Sequence, residues 1–231
     1  MQPLLQRASA AMCGNDYLME YVRRYCQNCF IVPTVVDANA YVPRDLHQPA
    51  HEKVVVGWIG SPSTWSYVTP LVPTLRELSA SGLAIFRAVG LRAHDRMIRE
   101  FDFADWTLDT EVQEVQSFDI GIMPLTDDPW SRGKCGYKLI QYMACGLPVV
   151  ASPVGVNTRI VRHGENGLLA STEAEWKQAL TALIADPGLR TRMGERGRAL
   201  VTKEYSLDSQ VPLVANILRS AASVTPLRLG A

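Results

Sequence analysis

The chain has 231 residues, 47% hydrophobic and 20% charged, with 23 basic against 23 acidic side chains and a formal net charge of zero. That composition supports a globular core of one to two domains, does not call for nucleic acid as a partner, and contains no run of ~18 apolar residues that would predict a membrane-spanning helix. The apolar run at the start is too short for a secretory signal, and five cysteines, an odd number, read as the reduced thiols of a cytoplasmic protein.

Helical spacing of Leu4, Leu5, Ala8, Met12, Leu18, Tyr21 and Val22 predicts a helix over 4–25. The C-x-x-C of Cys26 and Cys29 lacks the second pair of a zinc site and reads as incidental. The stretch CFIVPTVVDANAYVPRD follows as a short strand, a turn at Pro33 and a polar connection, and 45–53 has the composition of a linker.

From residue 54 strands and helices alternate. VVVGWIG (54–60) is a continuous apolar run, as expected of a strand buried on both faces of a parallel sheet. A helix over 66–79, a strand at 83–90, a polar stretch with Trp106, and a helix at 110–117 come next. DIGIMPL (119–125) is a strand, the segment GKCGYKLIQYMACG supplies a helix, and LPVVASPVG (147–155) is a further strand. A turn and short strand at 164–170 precede helices at 173–185, 188–205 and 208–220. The pattern predicts an α/β fold, a Rossmann-like parallel sheet flanked by helices. In such sheets ligands bind at the C-terminal ends of the strands, beside helix N-termini. Two Gly-containing strand-to-helix turns qualify, 60–64 and 133–136.

The second turn carries the sharper chemistry. A helix start already bears about half a positive charge, so cations are normally unfavourable there. Only five lysines occur in the chain, and two of them, Lys134 and Lys138, stand at this start. Gly133 and Gly136 permit unusual backbone geometry and close approach of a ligand. Spacing of i, i+4, i+7 places Lys134, Lys138 and Gln141 on one helix side, which suits a diphosphate at the lysines and a ribose at Gln141. Gly146 ends the helix and Pro148 prevents its continuation. The first turn adds Gly60, with hydroxyls from Ser61, Ser63 and Thr64, and Trp106 is a candidate to stack on a base. No D-x-D, GxxxxGK[ST] or GxGxxG occurs, which argues against a metal-held diphosphate, an NTPase loop and a dinucleotide fold. His47, His51, His94 and His163 have no metal-ligand spacing. The Arg190, Arg192, Arg196 and Arg198 set reads as a solvated helix face.

GWIGSPST, FDIGIMPL, GKCGYKLIQYMACGLPVVASPVG and HGENGLL, in that order, resemble the donor-binding half of the family 4 glycosyltransferases over about residues 54–220. GNDYLMEYVRRY and IVPTVVDANAYVP resemble that family's inter-domain region. The resemblance implies one half of a GT-B fold and transfer of a hexose-type sugar, with retention, from a UDP- or GDP-linked donor to a glycan or lipid-linked acceptor, without a bound metal or cofactor. It implies a substrate-binding set of Gly60, Ser61, Thr64, Trp106, Gly133, Lys134, Cys135, Gly136, Tyr137, Lys138 and Gln141, and assigns no catalytic residue.

Departures from the family pattern are specific. Gly133 and Gln141 stand where two glutamates eight positions apart are usual, and no basic pair follows the first strand, which leaves Lys134 and Lys138 to compensate. The resemblance also implies an acceptor-side domain ahead of residue 1. In that reading 1–50 is the remnant of that domain plus the connection, 51–206 is the donor domain, and 207–231 is a helix and tail crossing back. The helix's Val211, Val214, Ile217 and Leu218 would then be exposed and favour self-association, unless a separate subunit supplies the acceptor half. The chain by itself is expected to be inactive, or to be a nucleotide-sugar-binding module. Attachment to the inner membrane face is a further expectation for a lipid-linked acceptor.

Overall fold

The computed structural model describes residues 1–44, 52–92, 96 and 98–223. Most of the expected linker at 45–53, together with His47, His51, His94 and the tail from 224, lies outside the described residues.

The N-terminal part comprises α1 (Gln2–Arg7), β1 (Ala11–Cys13), α2 (Asp16–Val22) and β2 (Cys29–Ile31). One helix over 4–25 was expected, and two short helices flanking a strand are found. Parallel pairing of β1 with β2, Met12 opposite Phe30, overrides the local helical period. Asn15 then opens α2 as an N-cap, its Oδ1 accepting the Leu18 amide at 2.9 Å.

The main body begins with β3 (Val54–Ile59), continues through two 3-10 turns (Pro62–Tyr67 and Thr69–Leu71) into α3 (Val72–Ala80), and is followed by β4 (Ala84–Val89) and β5 (Asp102–Ala104). Next come α4 (Glu111–Gln116), β6 (Ile120–Met123), α5 (Pro129–Arg132), α6 (Tyr137–Ala144), β7 (Val149–Ala151), α7 (Asn157–Ile160) and β8 (Gly167–Leu169). The chain finishes with α8 (Glu173–Ala185), α9 (Pro187–Glu204) and α10 (Leu207–Ser223). Pro62, Pro70 and Pro73 each lack an amide, which turns the single helix expected at 66–79 into 3-10 turns followed by a shorter helix. The edge strand β5 was not anticipated, being three half-buried residues with little pattern.

The six strands form one parallel sheet in the order β5-β4-β3-β6-β7-β8, so the α/β expectation holds. Trp58, Phe86, Ile120, Ile122 and Val150 pack on the α3–α8 side, while Leu139, Ile140, Tyr142, Met143 and Val201 pack on the α6–α9 side. The order reverses between β3 and β6, which makes their junction the topological switch point. These two strands pair at Val56 with Ile120 and at Gly57 with Gly121, and no further pairing is made along them. The Tyr142 hydroxyl closes the gap beyond, accepting the Ile59 amide at 3.1 Å and donating to the Ile122 carbonyl at 3.4 Å. Gly121 makes this possible: a Cβ there would lie 2.3 Å from the Tyr142 ring.

Two of the four α9 arginines, Arg190 and Arg198, serve the fold, while Arg192 and Arg196 are exposed as expected. Arg198 donates to the carbonyls of Tyr41, Ala38 and Ala144, and Arg190 donates to those of Leu183 and Ile184. Val36 bridges Ser206 through the Tyr205 carbonyl and the Leu207 amide. The connection up to residue 44 is thus fastened to the main body. On α10, Val211 and Leu218 are exposed and Val214 is half-buried. Ile217 is only 4% exposed, which corrects its expected place on the open apolar face. No helix among the described residues is long and apolar enough to cross a membrane.

Removing the Tyr142 hydroxyl strands the buried Ile59 amide, a loss of about 1–3 kcal/mol. Tyr142→Phe should lower the urea midpoint accordingly with an unchanged slope, and an unchanged midpoint would show that the hydroxyl does not close the sheet.

Candidate functional site

Helix α6 starts above the switch point. Its N-cap, Gly136, has φ +70°, and a Cβ there would lie 2.4 Å from Ile160 Cδ1, so both backbone and space require glycine. Gly133 differs from the expectation. Its φ is −74° and a Cβ would meet nothing closer than 3.4 Å, so it has no special backbone role. At the end of β3, Gly60 is needed for space, since a Cβ would fall 2.9 Å from Lys138 Cε and 2.6 Å from the Trp58 ring. Lys138, in the first turn of α6, therefore lies directly across the end of β3.

Lys134 lies in the loop before the helix, so the expected single face of Lys134, Lys138 and Gln141 is not formed. The two ammonium groups are nonetheless brought to one cleft, lined also by Trp58, Thr64 and Tyr67. Lys134 Nζ stands 5.3 Å from the Tyr67 ring centroid and 5.8 Å from that of Trp130, and Lys138 Nζ stands 5.7 Å from that of Trp58. Neither ammonium makes a salt bridge or hydrogen bond among the described residues. Burial, and secondarily the charge of Lys134, push Lys138 down from 10.5 to about 8. Two cations facing aromatic rings, without a carboxylate, form a site short of negative charge.

Gln141 turns away from that cleft. It is 2% exposed, and its Nε2 donates at 2.9 Å to the Tyr41 hydroxyl and at 2.9 Å to Glu111 Oε1. Tyr41 also donates to Glu111 Oε1, and burial followed by that hydrogen bond pushes the phenol well above its usual range, so it stays a donor. The second Glu111 oxygen accepts the Trp106 indole N–H at 2.6 Å. Sequence reading missed both Glu111 and Tyr41, which lie far from Gln141 along the chain and share no local motif with it. Trp106 is 49% exposed, and Gly90, with φ +94°, is packed so closely that a Cβ there would lie 2.3 Å from the Gly60 carbonyl oxygen and 3.4 Å from Trp106 Cβ. The ends of β3, β4 and β5 thus converge on Gly60, Gly90 and Trp106.

The remaining candidates divide. Thr64 lines the cleft and donates its hydroxyl to the Ser61 carbonyl at 2.9 Å, whereas the exposed Ser61 side chain pairs with that of Ser63. Cys135 faces the N-terminal part, where Gly14 leaves room for its Sγ. Tyr137 is 42% exposed and lies beside the Tyr41 hydroxyl. The loop itself is held by Asn15, whose Nδ2 donates to the carbonyls of Arg132 at 3.4 Å, Gly133 at 3.2 Å and Lys134 at 3.0 Å. No cluster of His, Cys, Asp or Glu able to hold a metal occurs among the described residues. The Cys26 and Cys29 thiols donate to local carbonyls, and His163 Nδ1 accepts the Leu169 amide, both local structural uses.

Comparison with known proteins places this geometry in context. A family model described as glycosyl transferases group 1 matches residues 55–186, more than half of the chain. Over 187 residues, 76% of the chain, it is 27% identical to a D-inositol 3-phosphate glycosyltransferase of Streptomyces bingchenggensis, covering 37% of that protein. It is 29% identical over 120 residues, 51% of the chain, to the lipopolysaccharide core biosynthesis glycosyltransferase LpsE of Rhizobium meliloti, covering 34% of that protein. These matches span about a third of each relative's length. Among solved structures, the sucrose-phosphate synthase of Thermosynechococcus elongatus matches with a TM-score of 0.78 at 18% identity, over 97% of this chain and 61% of that one. Anabaena Alr3699/HepE in complex with UDP-glucose gives a TM-score of 0.77 at 18% identity, over 94% and 66% respectively. At such identities the likeness is one of fold.

The depressed Lys138 titration has two consequences. Lys134→Met removes one of its two causes, so the Lys138 midpoint, followed by NMR of 13C-dimethylated lysine, should move up from about 8. Because the folded value lies below the ordinary 10.5, the unfolded chain holds more protons between those limits, and this group's contribution to stability rises with pH across about 8 to 10.5. Lys138→Met should remove that rise relative to the parent chain, and a parallel pH–stability curve would contradict the assignment.

Proposed function

The chain belongs to the group 1 glycosyl transferases, and on that premise we propose that it supplies the donor side of a glycosyl transfer, binding a UDP- or GDP-linked sugar through its diphosphate at Lys134 and Lys138. The supporting observation is the pair of ammonium groups, without acceptors among the described residues, gathered at the switch point beside the start of α6. A diphosphate there would gain charge-assisted hydrogen bonds from both lysines, the electrostatic support of the helix start, and relief of the repulsion between the cations. The base would extend toward the ends of β4 and β5 and stack on Trp106. Gln141 acts as a positioning residue, holding Glu111, which in turn fixes the Trp106 indole.

In this reading a hexose-type sugar passes with retention to a glycan or lipid-linked acceptor. The acceptor half of the cleft comes from sequence or a subunit outside these residues, and 1–50, 51–206 and 207–231 divide into acceptor-side remnant plus connection, donor domain, and returning helix and tail. The location that goes with it is the cytoplasm, with the acceptor at the inner membrane face when it is lipid-linked. A second reading, a donor-binding module without transfer activity, is favoured by one feature: Gly133 offers no carboxylate on the loop that faces the donor.

Calorimetric titration with UDP, GDP, ADP and their sugar conjugates tests the donor site. One nucleotide class should bind saturably, and Lys134→Met/Lys138→Met should weaken it at least about a hundredfold, from about 1.5–3 kcal/mol for each charged contact. Equal binding by the double variant would sink the proposal. Release of nucleoside diphosphate in the presence of acceptor separates transferase from module.

A further inference from the structure

We propose that Cys26 and Cys29 form a reversible intrachain disulfide, which makes the turn between α2 and β2 an exchange site for a low-molecular-weight disulfide such as oxidised glutathione. The site lies in the N-terminal part, at the end of α2 opposite to the Asn15 cap, and it does not depend on the donor reading. Spacing alone gives this C-x-x-C no use, since no second pair accompanies it. The fold adds what spacing lacks: it turns the pair back on itself and brings a third thiol beside it.

Cys26 closes the turn after α2, its amide donating to the Val22 carbonyl at 3.0 Å, and Cys29 opens β2. The two residues between them bend, so that Cys29 Sγ reaches back to the Cys26 carbonyl at 2.6 Å. The two thiols also hydrogen-bond to each other, which is the contact across which an S–S bond forms. Ala11 pairs with Cys29 between β1 and β2, so Cys13, two residues further on, lies on the same face. Cys13 and Cys26 are each 5% exposed, whereas Cys29 is half-buried. Cys29 is therefore the thiol that meets an oxidant, and Cys26 is the buried neighbour that resolves the mixed disulfide.

In the reduced chain Cys26 donates to the carbonyls of Ala8 at 3.8 Å and Asn28 at 3.6 Å, and a thiol is a weak donor. Giving up these bonds costs little, because the turn keeps stronger ties. The Ala11 amide donates to the Asn28 carbonyl at 2.9 Å, and Asn28 Nδ2 donates to the Ser9 carbonyl at 2.8 Å. Exchange then runs in two steps. The Cys29 thiolate attacks one sulfur of the oxidant, forming a mixed disulfide and releasing a first thiolate. Cys26 loses its proton to solvent and attacks the Cys29 sulfur, forming the intrachain bond and releasing the second thiolate. The chain loses two electrons and two protons, and the oxidant takes them up as two thiols. Burial, and then the charge of Cys26, hold the Cys29 thiol above its usual range, and burial followed by Cys26 does the same for Cys13. Thiolate is thus scarce near neutral pH, so exchange accelerates as pH rises.

The test treats the reduced full chain with graded ratios of oxidised to reduced glutathione, blocks the remaining thiols with N-ethylmaleimide under denaturing conditions, and maps tryptic peptides by mass spectrometry. Cleavage after Arg7, Arg23, Arg24 and Arg44 leaves Cys26 and Cys29 on one peptide and Cys13 on another. The 25–44 peptide should appear two hydrogens lighter and unblocked, with Cys13, Cys135 and Cys145 blocked, and dithiothreitol should restore both thiols. Because the second step is intramolecular, the glutathione-bearing peptide should stay below about a tenth of the bridged one. Cys26→Ser removes the resolving thiol, so glutathione should accumulate on Cys29, at a rate that rises with pH. Blocking of both cysteines in the 25–44 peptide at every glutathione ratio overturns the proposal. So does a cross-link that joins this peptide to the Cys13 peptide, or a Cys26→Ser chain in which Cys29 takes up no glutathione.

Discussion

Where β3 and β6 part, the sheet exposes a backbone amide and a carbonyl that no strand can satisfy, and the Tyr142 hydroxyl, reaching in from α6, satisfies both. A buried unpaired amide is expensive, so this contact leaves α6 one rotation and one height above the sheet. Everything at the site is read from that setting. Lys138 precedes Tyr142 by four residues, so it lies one turn nearer the helix start, on the same face, above the end of β3. Gly121 yields space to the tyrosine ring, and Gly60 yields space to the lysine stem. Gly194 and Gly197 of α9 press against the Gly146 carbonyl and Met143, so the far side of the helix is closed as well.

That setting makes the cation pair a consequence of architecture rather than of surface decoration. Ordinary surface lysines extend into water, where the high dielectric makes a like-charged neighbour nearly harmless. Lys138 is instead flanked by the Trp58 ring, and burial first, then the nearby Lys134 charge, lowers its pKa. Cation–π contacts with Trp58, Tyr67 and Trp130 offset part of the desolvation, at about 0.5–2 kcal/mol for a well-formed contact. They do not neutralise charge. An anion would, and it would also suit the amide-rich start of α6, so the arrangement that is unfavourable for the empty chain is the one the proposed diphosphate would relieve.

Long apolar periods were legible in the amino-acid sequence. The bounds of α8 match its predicted range, and the main strands and longer helices from residue 54 onward emerged in order from alternation, although the short β5, α5 and α7 did not. The lysine pair was legible too, because a cation at a helix start conflicts with the macrodipole and asks for an explanation. What local pattern cannot carry is partnership at a distance. Met12 fits a helical stripe with Leu5 and Ala8, yet it pairs with Phe30 in a strand. Gln141 has suitable spacing to face a ligand, yet Tyr41 and Glu111 draw it into the protein. Gly133 and Gly136 look equivalent in sequence, and only the backbone distinguishes the one that needs positive φ from the one that does not.

The residues ahead of the main sheet belong to the site's construction. Asn15 ties three successive carbonyls of the loop that carries Lys134, Tyr41 completes the network that fixes Trp106 through Glu111, and Arg198 binds the Tyr41 and Ala38 carbonyls to the end of α6. Each of these contacts joins a segment before residue 45 to an element of the six-stranded body. The lysine loop is thereby positioned by the fold before any ligand arrives. A preformed loop loses little conformational entropy on binding, so more of the electrostatic attraction is realised as affinity. The same stitching shapes the proposed site, which has no metal cluster among the described residues and no phosphate-loop motif in the sequence. Its precision comes from side chains that are remote in sequence and close in space.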